Sequence, residues 1–291
     1  MRRSTATRWA NPLIFVLCLG LLVWMVIQAG VTALWAALCS MPGTIALCVL
    51  VWGVGYLLNA ASFREVLYGI QPSLRGGMNY GSILRLTVTG YAINYVTPFG
   101  LLGGEPYRVL VLKEQMGTKE ASRAVVLYST MHVASHICFW VTSALVGFWM
   151  FYPERTGTSN TVETITLAGV LNLFDWRQLA VGARFRALAY EFVSRMINVI
   201  EYMLIMQALG FESFGYVESL LCVAFSSLFA NVLFFSPMQM GTREGGILLS
   251  LQYLLPQMPQ QELLQVALGL SFATRIREII WIAIGLMGMK R

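Results

Sequence analysis

Two pairs of opposite charges stand inside stretches otherwise apolar enough for a membrane. Glu105 and Arg108 follow the break Thr97-Pro98-Phe99-Gly100-Leu101-Leu102-Gly103-Gly104. Arg243 and Glu244 close a second break, Ser236-Pro237-Met238-Gln239-Met240-Gly241-Thr242. In both, a hydroxyl residue precedes the proline and a glutamate follows that proline by seven positions. A charge held within a bilayer costs from about 3 to well above 10 kcal/mol, so such groups pair, face water or bind something. The binding chemistry is that of a polar head group. The planar fork of Arg108 or Arg243 suits phosphate oxygens, and a glutamate suits an ammonium. Helices that start just after the glycines would also aim free amide N–H groups at an anion. A structural role accounts for the same residues. Glu105 and Arg108, three apart, share a helix face, and a Glu105–Arg108 or Glu105–Arg243 pair would lock the two segments together.

Two further segments carry embedded charge. Arg195 lies one turn from Glu191 and near Asn198, with Glu201 and Tyr202 following at helical spacing. Near the end of the chain Ser271, Thr274, Arg275 and Glu278 share a face. With two such helices and two charged breaks, the expectation is a shared polar interior rather than isolated ion-pair stripes. His132 and His136 are four apart, a spacing that can bind zinc. No intervening glutamate of the HExxH kind and no third ligand accompany them, so no metal and no cofactor are assigned. Interhelical hydrogen bonding or a protonation site is the expected role. The glycines form no nucleotide-binding loop, since no Gly-Lys-Ser/Thr follows them. The five cysteines have no metal-like spacing and are read as packing thiols.

The elements that position these groups must be membrane helices. The chain has 291 residues, of which 57% are hydrophobic and 12% charged, with mean hydropathy +0.66. A soluble domain carries about a quarter charged residues. Net charge is +6, yet no basic block points to nucleic acid. Spans are expected at Leu13–Ala29, Ile45–Ala61, Ala124–Tyr152, Thr161–Phe174, Ala187–Leu209 and Leu263–Met289. The first is read as uncleaved, because no clean cleavage site follows it. Val31–Ser40 is expected at the outer interface, and the polar stretch Ser62–Gly81 as an amphipathic piece on the membrane surface. Ile83–Val96 and Val217–Phe235 are half-spans that run into Pro98 and Pro237. Tyr107–Leu112 and Ile247–Leu255 return from them.

Charge sets the orientation. With the N-terminus inside and both broken segments treated as hairpins, Arg155 is the only basic residue outside. Arg108, Arg195, Arg243, Arg275 and Arg277 fall within membrane segments. The first hairpin then enters from the cytoplasm and the second from outside, an inverted repeat with halves at about 43–152 and 187–289. Paired Gly/Pro-interrupted segments of this kind point to a transporter's binding site.

At these motifs the chain resembles the flippase-like transmembrane domain of the lysylphosphatidylglycerol synthase/flippase family. The resemblance rests on Asn94-Tyr95-Val96-Thr97-Pro98, Gly103-Gly104-Glu105-Pro106-Tyr107-Arg108, Ala121–Val126, Ser194-Arg195 through Gly210, and Ser236-Pro237 through Gly245. It implies a membrane protein that moves a lipid, typically an aminoacylated phosphatidylglycerol, between leaflets. The family's soluble aminoacyl-transferase domain would follow this region, and the chain ends at Arg291, so the resemblance carries no synthase activity here. His132 and His136, and the short stretch Glu154–Arg186, depart from the family pattern.

The expected fold is therefore all-α, a single polytopic helix bundle over 1–291 with two re-entrant hairpins. The expected function is translocation or binding of a phospholipid or other polar-headed lipid, without catalysis. Glu105, Arg108, Arg243, Glu244, Arg195, Arg275 and Asn94 form the expected site, with the first four around one cavity where the hairpin tips meet. The expected location is a bacterial plasma membrane with both termini cytoplasmic. The expected partner is a lipid head group, beside a possible second copy or a separate lipid-modifying enzyme. Two alternatives stay open: a secondary transporter of a small solute, and a membrane-embedded head-group enzyme using His132, His136 and Glu105.

Overall fold

The computed structural model describes residues 32, 39–97, 103–151, 179–232 and 242–289. Among them the chain is all-helical, with eight α-helices and no strand. The helices are α1 (Pro42–Ile70), α2 (Tyr80–Val96), α3 (Glu105–Met116), α4 (Thr118–Phe151), α5 (Val181–Ala208), α6 (Tyr216–Val232), α7 (Thr242–Leu254) and α8 (Gln260–Met287). The expected spans Leu13–Ala29 and Thr161–Phe174, most of Val31–Ser40, and the centres of both breaks lie outside the described residues.

Local chemistry sets several boundaries. Proline stands in the first turn of α1 and of α3, where its missing N–H has no partner to lose. The Asn79 side chain accepts from Ser82 N at 2.9 Å and so caps α2. Gly210, at φ 98°, ends α5: Phe211 N donates to Met206 O at 3.0 Å and Gly210 N to Gln207 O at 3.1 Å. That pair of bonds is a Schellman closure, which needs a left-handed residue at this position.

Two helices, α1 with 29 residues and α4 with 34, are long and apolar enough to cross a membrane. The 17 residues of α2 and of α6 reach only about 26 Å at 1.5 Å per residue, short of a ~30 Å hydrocarbon core. The 12 residues of α3 and 13 of α7 are shorter still. The 28-residue helices α5 and α8 are long enough to span but carry the embedded charges.

The stretch Ser62–Gly81 is not a separate surface piece. Ser62 to Ile70 continues α1, and only Pro72–Gly76 forms a 3₁₀ turn before α2. Mean polarity misled the reading there: Phe63, Val66 and Leu67 recur at helical spacing and are wholly buried.

The helices pack in a paired pattern. α1 lies along α5. Contacts of α2 with α8, α3 with α4, α1 with α2 and α4 with α5 are matched by α6 with α4, α7 with α8, α5 with α6 and α8 with α1. Two large apolar clusters fill opposite ends of this bundle. One gathers Phe63, Leu67, Ile83, Ile93, Leu112 and Met131 around the C-terminal part of α1 and the N-terminal part of α5. The other gathers Ile45, Ile205, Met206, Ile247, Leu251 and Leu270 around the opposite parts of the same two helices. Large apolar side chains also face outward, with Leu50 66% and Val126 65% exposed. An apolar exterior on this scale suits lipid rather than water.

The surface pair of Arg186 with Glu65, at 2.7 Å with the arginine 57% exposed, ties α5 to α1. Arg186→Ala is expected to shift stability by at most about 1 kcal/mol, because exposed ion pairs gain little over hydration. A thermal unfolding curve in detergent checks it.

Candidate functional site

Between the two apolar ends lies a cavity of about 210 Å³, lined by residues from all the helices except α3. Its walls come from mid-helix positions: Trp52, Tyr56 and Asn59 of α1, and Glu191, Ser194, Arg195, Asn198 and Glu201 of α5. The charged ones among them tolerate this depth because they meet partners across helices.

One ion network runs from α7 through α8 to α1. Arg277 donates to both carboxylate oxygens of Glu201, at 2.7 and 2.8 Å. Trp52 Nε1 also donates to Glu201, at 2.7 Å, and the Arg277 guanidinium lies over the Trp52 ring at 3.6 Å. Arg243 donates to Glu278, and Arg275 reaches the other oxygen of Glu278 at 3.4 Å. Glu244 accepts from Ser271 Oγ at 2.6 Å and from Arg275 at 3.4 Å. The face Ser271–Arg275–Glu278 thus becomes the track along which α7 is fastened to α8.

A second network crosses α2, α4 and α5. His132 Nδ1 is 2.9 Å from Glu191 and 2.9 Å from the Tyr91 hydroxyl, which also meets the Tyr128 hydroxyl at 2.9 Å. Arg195 donates to Ser135 Oγ at 2.7 Å and to the His132 carbonyl at 3.0 Å, and lies 4.0 Å from Glu191. His136 stacks edge-on against His132, with ring centroids 5.1 Å apart. Among the described residues no three His, Cys, Asp or Glu side chains are grouped to hold a metal ion.

Of the residues expected from sequence, Asn94, Arg195 and Arg243 line the cavity. Glu105, Arg108, Glu244 and Arg275 are not among its lining side chains. Arg108, 1% exposed, donates to Glu105 at 2.7 Å and packs over the rings of Tyr91 and Tyr128 at 4.9 and 5.2 Å. The two breaks therefore make different bonds. Glu105 takes the local arginine, whereas Arg243 reaches α8. The cavity residues that sequence had not assigned are chiefly Glu201, Arg277, Glu278, Trp52 and Asn59. The charged ones carried a usable signal, since an ionisable residue within an apolar span is a functional candidate by default. Asn59 carried none.

Apolar outer faces around an ion-paired interior define a helical membrane protein with a polar chamber at mid-helix depth. The model of the family described as "Lysylphosphatidylglycerol synthase TM region" matches residues 9–175, more than half of the chain, and the chain belongs to that family. No curated protein and no solved structure matches it.

Proposed function

We propose that this membrane protein translocates or binds a phospholipid or other polar-headed lipid, passing the head group between leaflets of a bacterial plasma membrane. The observation that carries this reading is the polar cavity midway along α1 and α5, inside an otherwise apolar bundle. At about 210 Å³ it is smaller than the ~300–1,000 Å³ of sites that enclose a whole ligand. It suits a head group whose chains stay in the lipid. Asn94, Arg195 and Arg243 meet the head group at the wall. Glu105, Arg108, Glu244 and Arg275 hold that wall in place. The paired helix contacts support a two-fold repeat in which α2–α3 and α6–α7 are opposed re-entrant hairpins. Alternating access then swings one hairpin against the other, with both termini cytoplasmic.

The test is reconstitution of the full chain in vesicles with chain-labelled lipids and a leaflet-specific readout. Protein-dependent movement is expected, and Arg243→Ala is expected to slow it at least tenfold. No movement of any lipid, with or without an ion gradient, overturns the proposal.

A second reading, a head-group enzyme, draws on the His132–Glu191 contact of 2.9 Å at the cavity wall, a geometry suited to general acid–base work. It predicts a chemically altered lipid after incubation, which mass spectrometry of the vesicles detects. Unaltered lipid removes it.

A further inference from the structure

Each charge in the cavity wall already faces an opposite one. Arg277 faces Glu201, Arg243 faces Glu278, and Arg195 with His132 faces Glu191. A head group with a net charge therefore competes with these partners. Two of the aromatic faces that would greet an ammonium are also taken by the protein's own cations, Trp52 by Arg277 and Tyr91 by Arg108.

What the wall leaves unpaired is of another kind. Asn59 Oδ1, Asn198 Oδ1, His136 Nδ1, Glu191 Oε1 and Arg277 Nη1 are buried atoms of lining residues with no hydrogen-bond partner. Buried polar atoms are nearly always paired in native structures, so five at one cavity call for a ligand. Asn59 is only 8% exposed and sits one turn from Gly55, against which the Asn198 amide packs. The two amide oxygens accept, the guanidinium nitrogen donates, and the imidazole does either according to its tautomer. A phosphate only accepts and an ammonium only donates. A hydroxyl does both, and a cluster of hydroxyls meets all five atoms, the Glu191 oxygen as a further acceptor. The cavity has the space of roughly seven waters, at about 30 Å³ each, enough for a glycerol or one hexose.

We propose that the group held in this cavity is an uncharged polyol, the glycerol or sugar head of a lipid, seated on Asn59, Asn198, His136 and Arg277. This rests on the lipid-translocation reading above and narrows its substrate class.

The test uses the full chain in vesicles and three chain-labelled lipids: a monoglucosyl diacylglycerol, a phosphatidylcholine and a lysyl-phosphatidylglycerol. A parallel arm follows uptake of labelled free glucose. The glucosyl lipid is expected to move at least tenfold faster than the other two, with no uptake of free glucose. The double substitution Asn59→Ala, Asn198→Ala is expected to bring the glucosyl-to-choline rate ratio down to within twofold of one. A ratio is read because partial loss of folded protein does not change it. If all three lipids move equally, or a cationic head group moves fastest, the polyol assignment falls while lipid translocation stands. If free glucose enters and no lipid moves, the sugar site belongs to a solute transporter and the lipid assignment falls. If neither glucose nor any lipid moves, the translocation reading falls and takes this one with it.

Discussion

Arg277→Ala is expected to lower the stability of the protein by about 3–5 kcal/mol, among the largest effects of any single substitution here. Arg277 and Glu201 are 3% and 1% exposed, so water screens either charge poorly when the other is removed. Glu201 would keep only the Trp52 indole N–H, which carries no charge. Glu278 would lose a cation 3.9 Å away, and Trp52 the guanidinium stacked on its face. Arg277→Lys is expected to recover only part of the loss, because an ammonium cannot reproduce the two parallel bonds to Glu201. The decisive comparison is the double substitution Glu201→Gln, Arg277→Met. It removes both charges, keeps an acceptor for Trp52 and fills the volume, and replacing a buried pair in this way is often neutral. Thermal unfolding in detergent should place this double variant close to the wild type and well above Arg277→Ala. A single-variant loss below about 1 kcal/mol would show that water reaches the pair, and the network would then be a hydrated cluster rather than a closed joint.

The contrast between this pair and Glu105–Arg108 explains what the sequence made legible. Glu105 and Arg108 are three residues apart, so helix geometry alone brings them together, and they meet at 2.7 Å. Likewise the Ser271, Arg275 and Glu278 face follows from periodicity. Arg277 and Glu201 are 76 positions apart and Arg243 and Glu278 are 35 apart, and no local rule chooses such partners. Five arginines and five glutamates stand within the segments the sequence reads as membrane (Arg108, Arg195, Arg243, Arg275, Arg277 and Glu105, Glu191, Glu201, Glu244, Glu278). Counting charges signals a polar interior but leaves its pairings open. Asn59 was hidden for a different reason: a lone amide in an apolar run hardly changes mean hydropathy. The helix end before Pro98 fared better, since a proline acts locally and α2 stops at Val96, whereas α4 and α5 start six residues before the expected Ala124 and Ala187. The polar stretch after Ser62 was lost because packing, not average polarity, decides whether a helix continues. The matched family region ends at residue 175, before α5 to α8, so the charged half of the cavity wall is known from the packing of this chain.

Gly104→Ala is expected to be the second large effect, about 1–3 kcal/mol or more, with loss of lipid movement in the same variant. Gly104 precedes α3 directly, and a Cβ there would run into the backbone carbonyl and Cα of Gly90 in α2. No side-chain rotation relieves a clash between two backbones, so α3 must shift as a body. Two bonds resist that shift. The Gly104 N–H donates to Asn94 Oδ1, and Arg108, one turn into α3, reaches back to the Thr87 carbonyl at 3.5 Å. Gly90→Ala makes the complementary test. Its Cβ would strike the Arg108 guanidinium, a side chain rather than backbone, but one that is 1% exposed and tied to Glu105. Both substitutions are therefore expected to disturb the same joint, from opposite sides. Because each acts through that joint, their losses in the double variant should fall short of the sum of the two single losses. Strict additivity in the unfolding free energies would mean that Gly90 and Gly104 serve separate contacts. The break before Glu105 would then act as a loose connector rather than the fixed corner that holds Asn94 at the cavity wall.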